Sequence, residues 1–342
     1  MSDFGEVLQD LARADVGLRR AWPRAADHLL LDVDDLVSGE QTAGQWFADE
    51  SAAGRVADAT PGATRRGRVV LQPRGADRKL ARLAALVAEP GNGLVAHRPE
   101  RRAVVSLAGG DRFAKLVPTR KLAALRHSCR RTSRLPIRTP ALDPYADEST
   151  VTTLALPGSP LTALLGDTDV GPALTAVGRA LARLHRCAPP AGVSVHGPAD
   201  EVAVARRWER WAAVFGLPVT TPAEAPQPSP PGTLRLIHRD LHDGQLMLAR
   251  TVDGSFADNG VGLLDFDLMA AGDPALDLAN LLEHLVLRAR QGVLPDAESA
   301  IQALLAGYDP GQDVVSRMTS YRVLTARRLE VVYAFRASNL VT

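Results

Sequence analysis

The stretch LIHRDLHDGQLML, residues 236–248, decides how this chain is read. Leu236-Ile237 forms an apolar lead-in, His238-Arg239-Asp240 interrupts it, and Leu246-Met247-Leu248 resumes it. A carboxylate is thereby presented on a tight loop between two buried strands. Further on, a second apolar run, Val261-Gly262-Leu263-Leu264, ends in Asp265-Phe266-Asp267.

Two acidic loops in close succession suit phosphoryl transfer. That reaction needs one carboxylate to orient an attacking hydroxyl and accept its proton, and another to hold Mg²⁺ on nucleotide phosphates. Either tripeptide alone carries little information. The combination of HRDL, an amide side chain at Gln245 and an apolar-Asp265-Phe266-Asp267 loop carries much more. Competing readings exist: loop aspartates capping turns, or His238 and His242 holding zinc with Asp240 or Asp243, although that spacing works best on a helix and the flanks here read as strands.

Working outward, 342 residues suffice for two or three modules. A hydrophobic fraction of 46% with 23% charged residues is that of a globular chain able to build a core. Forty basic against thirty-nine acidic residues leave a formal charge of +1, so no long-range field draws the chain to nucleic acid or an anionic membrane. Aromatics at 4% with no stacking motif argue the same way for nucleic acid. The two cysteines, Cys129 and Cys187, form neither a disulfide framework nor a CxxC site, which fits a reducing compartment. With no basic n-region followed by an apolar stretch at the start, and no run of about 18 apolar residues, a cytoplasmic protein made without a targeting segment is expected.

The N-terminal stretch 1–90 reads as an extension or cap with its own small fold: GQWFADE and RVVLQP as strands, ADRKLARLAALVAE as a helix with Leu80, Leu83 and Leu86 on one side. Residues 91–157 read as a small, mainly β unit. LVAHRPERRAVVSL and RFAKLVP are strands joined through the turn signal Ala-Gly-Gly-Asp, KLAALRHSCRR is a helix, and IRTPALDPY and TVTTLALPG are strands. Residues 158–342 read as mainly helical, with GPALTAVGRALARLHRC placing Leu174, Val177, Leu181 and Leu184 on one stripe. The proline-rich PVTTPAEAPQPSPPGT reads as a loop.

At these residues the sequence resembles the aminoglycoside phosphotransferase family, which shares its fold with protein kinases. HRDLHDGQL resembles the family's His-x-Asp-x-x-x-x-Asn loop, LLDFD its metal loop, GDPALDLANLL its following segment, and ARLH at 182–185 the end of its preceding helix. The position and length of the N-terminal extension resemble the cap of maltokinase-type members. The resemblance covers roughly 94–300 and implies an α+β, protein-kinase-like two-lobed fold with ATP and Mg²⁺ in the cleft and a small-molecule hydroxyl as acceptor. It implies Asp240 as catalytic base, Gln245 and Asp265 as Mg²⁺ ligands, Lys115 as the lysine on the nucleotide phosphates, and His238 and Asp277 as supports of the loop. Asp267, in place of a glycine, reaches the metal or caps a turn.

Three departures stand out. Gln245 replaces the family's asparagine. Residues 112–142 contain no Asp or Glu to pair with Lys115, only nine basic side chains from Arg112 to Arg138. HRPERR stands where a glycine-rich loop would cover phosphates. The alternative these departures motivate is a nucleotide-binding regulatory protein with little turnover, a pseudokinase. Protein kinase activity fits less well, because GDPALDLANLL follows Asp265 with no room for an activation segment.

Overall fold

The apolar segments His28–Asp35 and Gln41–Phe47 pair antiparallel in the computed structural model, which describes residues 3–145, 150–167, 170–218, 226, 228–231 and 233–337. They form the centre of an antiparallel sheet ordered Val16–Ala25, His28–Asp35, Gln41–Phe47, Val69–Gln72 and Thr64–Arg66. Its inward residues Leu29, Leu31, Val33, Trp46, Val69 and Leu71 pack on Phe4, Val7 and Leu11 of the helix Phe4–Arg13. That helix went unread in the sequence, although Asp3 signals its start by accepting from Gly5 N at 3.2 Å. The same core takes in Ala212 and Phe215 from around the end of the helix Pro198–Val214, and Val331 and Phe335 from the helix Gln312–Ala334 and its end. Ala21 N donates to Phe335 O at 2.8 Å, so the N-terminal sheet is joined to the C-terminal helix by backbone as well as by apolar contact.

The expected helix over ADRKLARLAALVAE is shorter than its leucine spacing suggested and spans only Leu83–Ala88. Asp77 is the reason. Its carboxylate accepts from Lys79 N (2.7 Å) and Leu80 N (3.0 Å), closing a side-chain turn that competes with helical bonding. Leu80 and Leu83 pack with Ala103, Val105, Ala114 and Leu116, in the core of the next sheet.

That second sheet runs Gly93–Arg98, Arg102–Ser106, Arg112–Leu116 and Val151–Leu154, all antiparallel. The Ala-Gly-Gly-Asp turn lies between Ser106 and its partner Phe113, with Gly109 and Gly110 at φ of 95° and 74°, a region where a side chain would be strained. The expected strand IRTPALDPY makes no ladder and contributes only isolated bridges, Arg138 with Gly262 and Leu142 with Thr153. Its prolines, Pro136, Pro140 and Pro144, remove the backbone donors that a ladder requires.

The second half is built on the helices Val170–Leu184, Pro198–Val214, Pro274–Arg290, Ala297–Tyr308 and Gln312–Ala334. The first and fourth of these approach closely through glycines: a Cβ on Gly178 would lie 2.2 Å from Leu304 O, and one on Gly307 2.1 Å from Thr175 O. Most of the proline-rich loop, residues 219–225, 227 and 232, lies outside the described residues. This mixed α+β arrangement of two lobes, with a further sheet before them, is protein-kinase-like.

Candidate active site

The strand Arg235–Ile237 delivers the chain into the loop that begins at His238, and the strand Leu246–Arg250 leads it away. Arg239 takes a φ of 71°, unusual for a residue with a side chain, so the turn must be held from outside. Asp277, fully buried, does so: its carboxylate accepts from His238 N at 2.6 Å and Arg239 N at 2.7 Å. Burial alone would raise its pKa, but the bond from His185 Nε2 at 3.1 Å, together with the two backbone donors, overrides that and holds it below the ordinary carboxylate value. Asp277 itself is placed by the start of its helix. Asp273 accepts from Ala275 N at 3.1 Å and Pro274 occupies the first helical position.

Asn280, one turn further along that helix, donates to Arg239 O at 2.8 Å, while its own oxygen accepts from Thr325 Oγ1 (2.7 Å) and Arg328 Nη2 (3.0 Å). The sequence reading missed Asn280 and the anchoring contact of His185, although an amide three residues after Asp277 lies on the same helix face. Asp240 itself is partly exposed, with Arg328 Nη1 at 4.0 Å.

His238 is fully buried and bonds Leu264 O through Nε2 at 2.7 Å; its ring lies 4.7 Å from that of Phe266. Leu264 N in turn donates to Gln245 O at 2.9 Å. The loop of Asp240 and the loop of Asp265 are thus bonded side by side.

Asp265 adopts the left-handed conformation, φ 56° and ψ 57°, which aspartate tolerates better than most residues. Lys115 Nζ lies 2.8 Å from Asp265 and 2.6 Å from Asp267, and Arg102 Nη1 lies 3.0 Å from Asp265. The missing acidic partner of Lys115 is therefore the Asp265 loop. The helix Thr119–Thr132 places Cys129 within electrostatic reach of the trio, and burial pushes that thiol's pKa up. Burial works against the ammonium of Lys115, yet the two carboxylates outweigh it and raise its pKa. Asp265 is held far below the usual range because Lys115 and Arg102 overcome its burial, whereas burial and the neighbouring Asp265 charge raise Asp267.

Gln245 sits beside His242, whose Nε2 is 3.3 Å from the terminal amide. His242 Nδ1 accepts from Gly244 N at 3.0 Å, and burial keeps the ring below its ordinary pKa. The contacting atom is Gln245 Nε2; a neutral ring with Nδ1 so used carries its proton on Nε2, so turning the Gln245 amide over presents its oxygen to that proton. His242 stacks on His284 at 5.0 Å and shares no metal-like cluster with His238; among the described residues no group of three or more His, Cys, Asp or Glu could hold a metal alone.

A family model described as a phosphotransferase enzyme family matches residues 101–316. The aminoglycoside phosphotransferase APH(3'')-Id from Streptomyces rimosus, solved with ADP and streptomycin, has 23% identity and a TM-score of 0.50, covering 73% of this chain and 96% of its own. A choline/ethanolamine kinase family protein from Mesorhizobium loti has 15% identity and a TM-score of 0.45, over 77% of this chain and 87% of its own. A search of curated proteins finds no match. No helix among the described residues is long and apolar enough to cross a membrane. With the family model spanning well over half of the sequence and both acidic loops inside it, the chain belongs to the phosphotransferase enzyme family.

Proposed function

We propose that the protein transfers the γ-phosphoryl group of ATP, with Mg²⁺, to a hydroxyl of a small molecule in the cytoplasm. The observation that carries this is the bonded pairing of the Asp240 loop with the Asp265 loop through His238, Leu264 and Gln245. In the step itself the acceptor oxygen forms a bond to the γ-phosphorus, the bond from phosphorus to the β-γ bridging oxygen breaks, and Asp240 takes the hydroxyl proton. Arg328 Nη1 lies 4.0 Å from Asp240 Oδ1, on the same side as the carboxylate that takes the proton.

Asp265 and Gln245 would hold Mg²⁺, with Asp267 beside them. Their donors are all oxygen, as a hard cation prefers, and one or two carboxylates suffice when substrate phosphates complete the shell. The amide oxygen of Gln245 offers two lone pairs, enough for both an ion and a hydrogen bond. When bound, Mg²⁺ neutralises phosphate charge that develops during transfer. Lys115, held upright between Asp265 and Asp267, supplies a positive charge for the nucleotide phosphates. We further take residues 1–90 as a cap on a small lobe, 91–157, and a larger lobe, 158–342.

Gln245 favours one second reading, a nucleotide-binding protein with little turnover. Single-turnover ATP consumption across a panel of hydroxylated small molecules, read as a mass gain of one phosphate, separates the two. Transfer to any member supports the kinase, and nucleotide binding with no transfer supports the binder.

A further inference from the structure

A group of arginines that the transfer chemistry does not use gathers around Arg20, which interacts electrostatically with Asp240. Arg20, on the first strand of the N-terminal sheet, bridges to Arg336 at the end of the last helix. Its guanidinium lies 4.7 Å from the ring of Trp22, and that of Arg98 lies 5.0 Å from the same ring, so an indole holds two cations in one place. Arg336 stacks on Tyr333 at 3.9 Å. None of Arg20, Arg98 and Arg336 makes an ion pair among the described residues, and the Nε atoms of Arg98, Arg328 and Arg336 are buried without a hydrogen-bond partner.

Through Arg20 this group reaches the reacting side. Arg20 interacts electrostatically with Asp240, Arg102 and Arg336, and burial followed by Arg336 brings its pKa down to about 10. Arg98 is lowered to about 10 by burial, then by Arg102 and Arg20. Cations crowded together, desolvated and short of acids form a site that an anion would complete.

We propose that the acceptor carries an oxyanion, a carboxylate or a phosphate, and that Arg20, Arg98 and Arg336 receive it while Asp240 faces the hydroxyl. The inference rests on the kinase reading above and deepens it. It gives the N-terminal sheet a part in acceptor choice, because Arg20 and the Trp22 that positions Arg98 both come from it. A polycationic acceptor would meet repulsion from the same side chains.

The test uses the full chain with MgATP and acceptors matched in skeleton but not in charge: glycerol, glycerate and glycerol 3-phosphate; glucose, glucuronate and glucose 6-phosphate; with choline and streptomycin as cations. We expect an acid-bearing member to be phosphorylated with a kcat/KM at least about tenfold above its neutral counterpart, the scale of one charge-assisted hydrogen bond. The carboxylate and phosphate arms distinguish the two oxyanions. Arg20→Gln and, independently, Arg336→Gln should raise the KM for that acceptor about tenfold or more while leaving the KM for ATP unchanged, with partial recovery in Arg20→Lys. Circular dichroism checks that each variant folds. Preference for neutral or cationic acceptors, or a rise in the ATP KM instead of the acceptor KM, overturns this inference alone. No transfer in any charge class overturns the kinase reading and this inference with it.

Discussion

Lys115 and Asp265 lie 150 positions apart in sequence and 2.8 Å apart in space, joining the four-stranded sheet to the loop at the foot of the cleft. The two lobes are electrostatically registered by this contact and by Arg102 on the same carboxylate. If Asp265 holds phosphate-bound Mg²⁺, Asp265→Ala should abolish the gain in ATP affinity that Mg²⁺ gives, a loss of at least about tenfold by the worth of one charged contact. Titrating ATP with and without Mg²⁺ measures it. Retention of the full Mg²⁺-dependent gain would remove Asp265 from the metal site.

Asp240→Asn should bind MgATP normally and fold normally, yet turn over at least about a hundredfold more slowly, the lower end of general-base contributions. A correctly folded variant with native turnover would show that Asp240 is not the base.

Gln245→Asn restores the commoner family residue and should nonetheless impair turnover. The shorter side chain withdraws its terminal amide by roughly 1.5 Å, away from both His242 Nε2 and any ion held with Asp265. Gln245→Ala should impair turnover at least as much. Should Gln245→Asn create activity in a chain that otherwise has none, the regulatory-binder reading takes precedence.

Asp277→Ala leaves one buried and one half-buried backbone N–H group without their acceptor beside a left-handed Arg239. The expected loss of stability is at least about 3 kcal/mol, from two hydrogen bonds to a charged group. Urea unfolding checks this, and a midpoint unchanged from the native chain would show that the loop is held by other contacts.

His284 provides a pH test. Burial, then His242, Arg328, Arg288 and Arg336, keep its pKa well below the ordinary 6.5. The unfolded chain then takes up this proton first as pH falls. The stability owed to His284 is therefore fully present above about pH 6.5 and is lost as pH drops toward the folded value. His284→Gln should flatten the acid limb between pH 7 and 5 by up to ~1.4 kcal/mol per pH unit. Unfolding midpoints of both proteins at the two pH values decide it; equal slopes would exclude the effect.

The fold class was legible in the sequence through the resemblance of HRDLHDGQL, LLDFD and GDPALDLANLL to a known family, because such motifs join residues close together in the chain. The turn at Gly109-Gly110 and the stripe Leu174, Val177, Leu181, Leu184 were legible for the same reason, since period and turn chemistry are properties of neighbouring residues. Where a distant partner outweighed local preference, legibility failed. Asp77 drew its own backbone donors, with Glu100 N at 2.7 Å and His97 at 2.9 Å completing its shell, and shortened a helix that leucine spacing had extended. The prolines of 136–144 left bridges where apolar residues suggested a strand. Only the tertiary structure decided who pairs with Lys115, that Asn280 and His185 reinforce the Asp240 loop, and that Arg20 gathers with Arg98 on Trp22 and bridges to Arg336. Those relationships join residues tens to hundreds of positions apart. They are set by how sheets and helices pack, which no local pattern of side chains records.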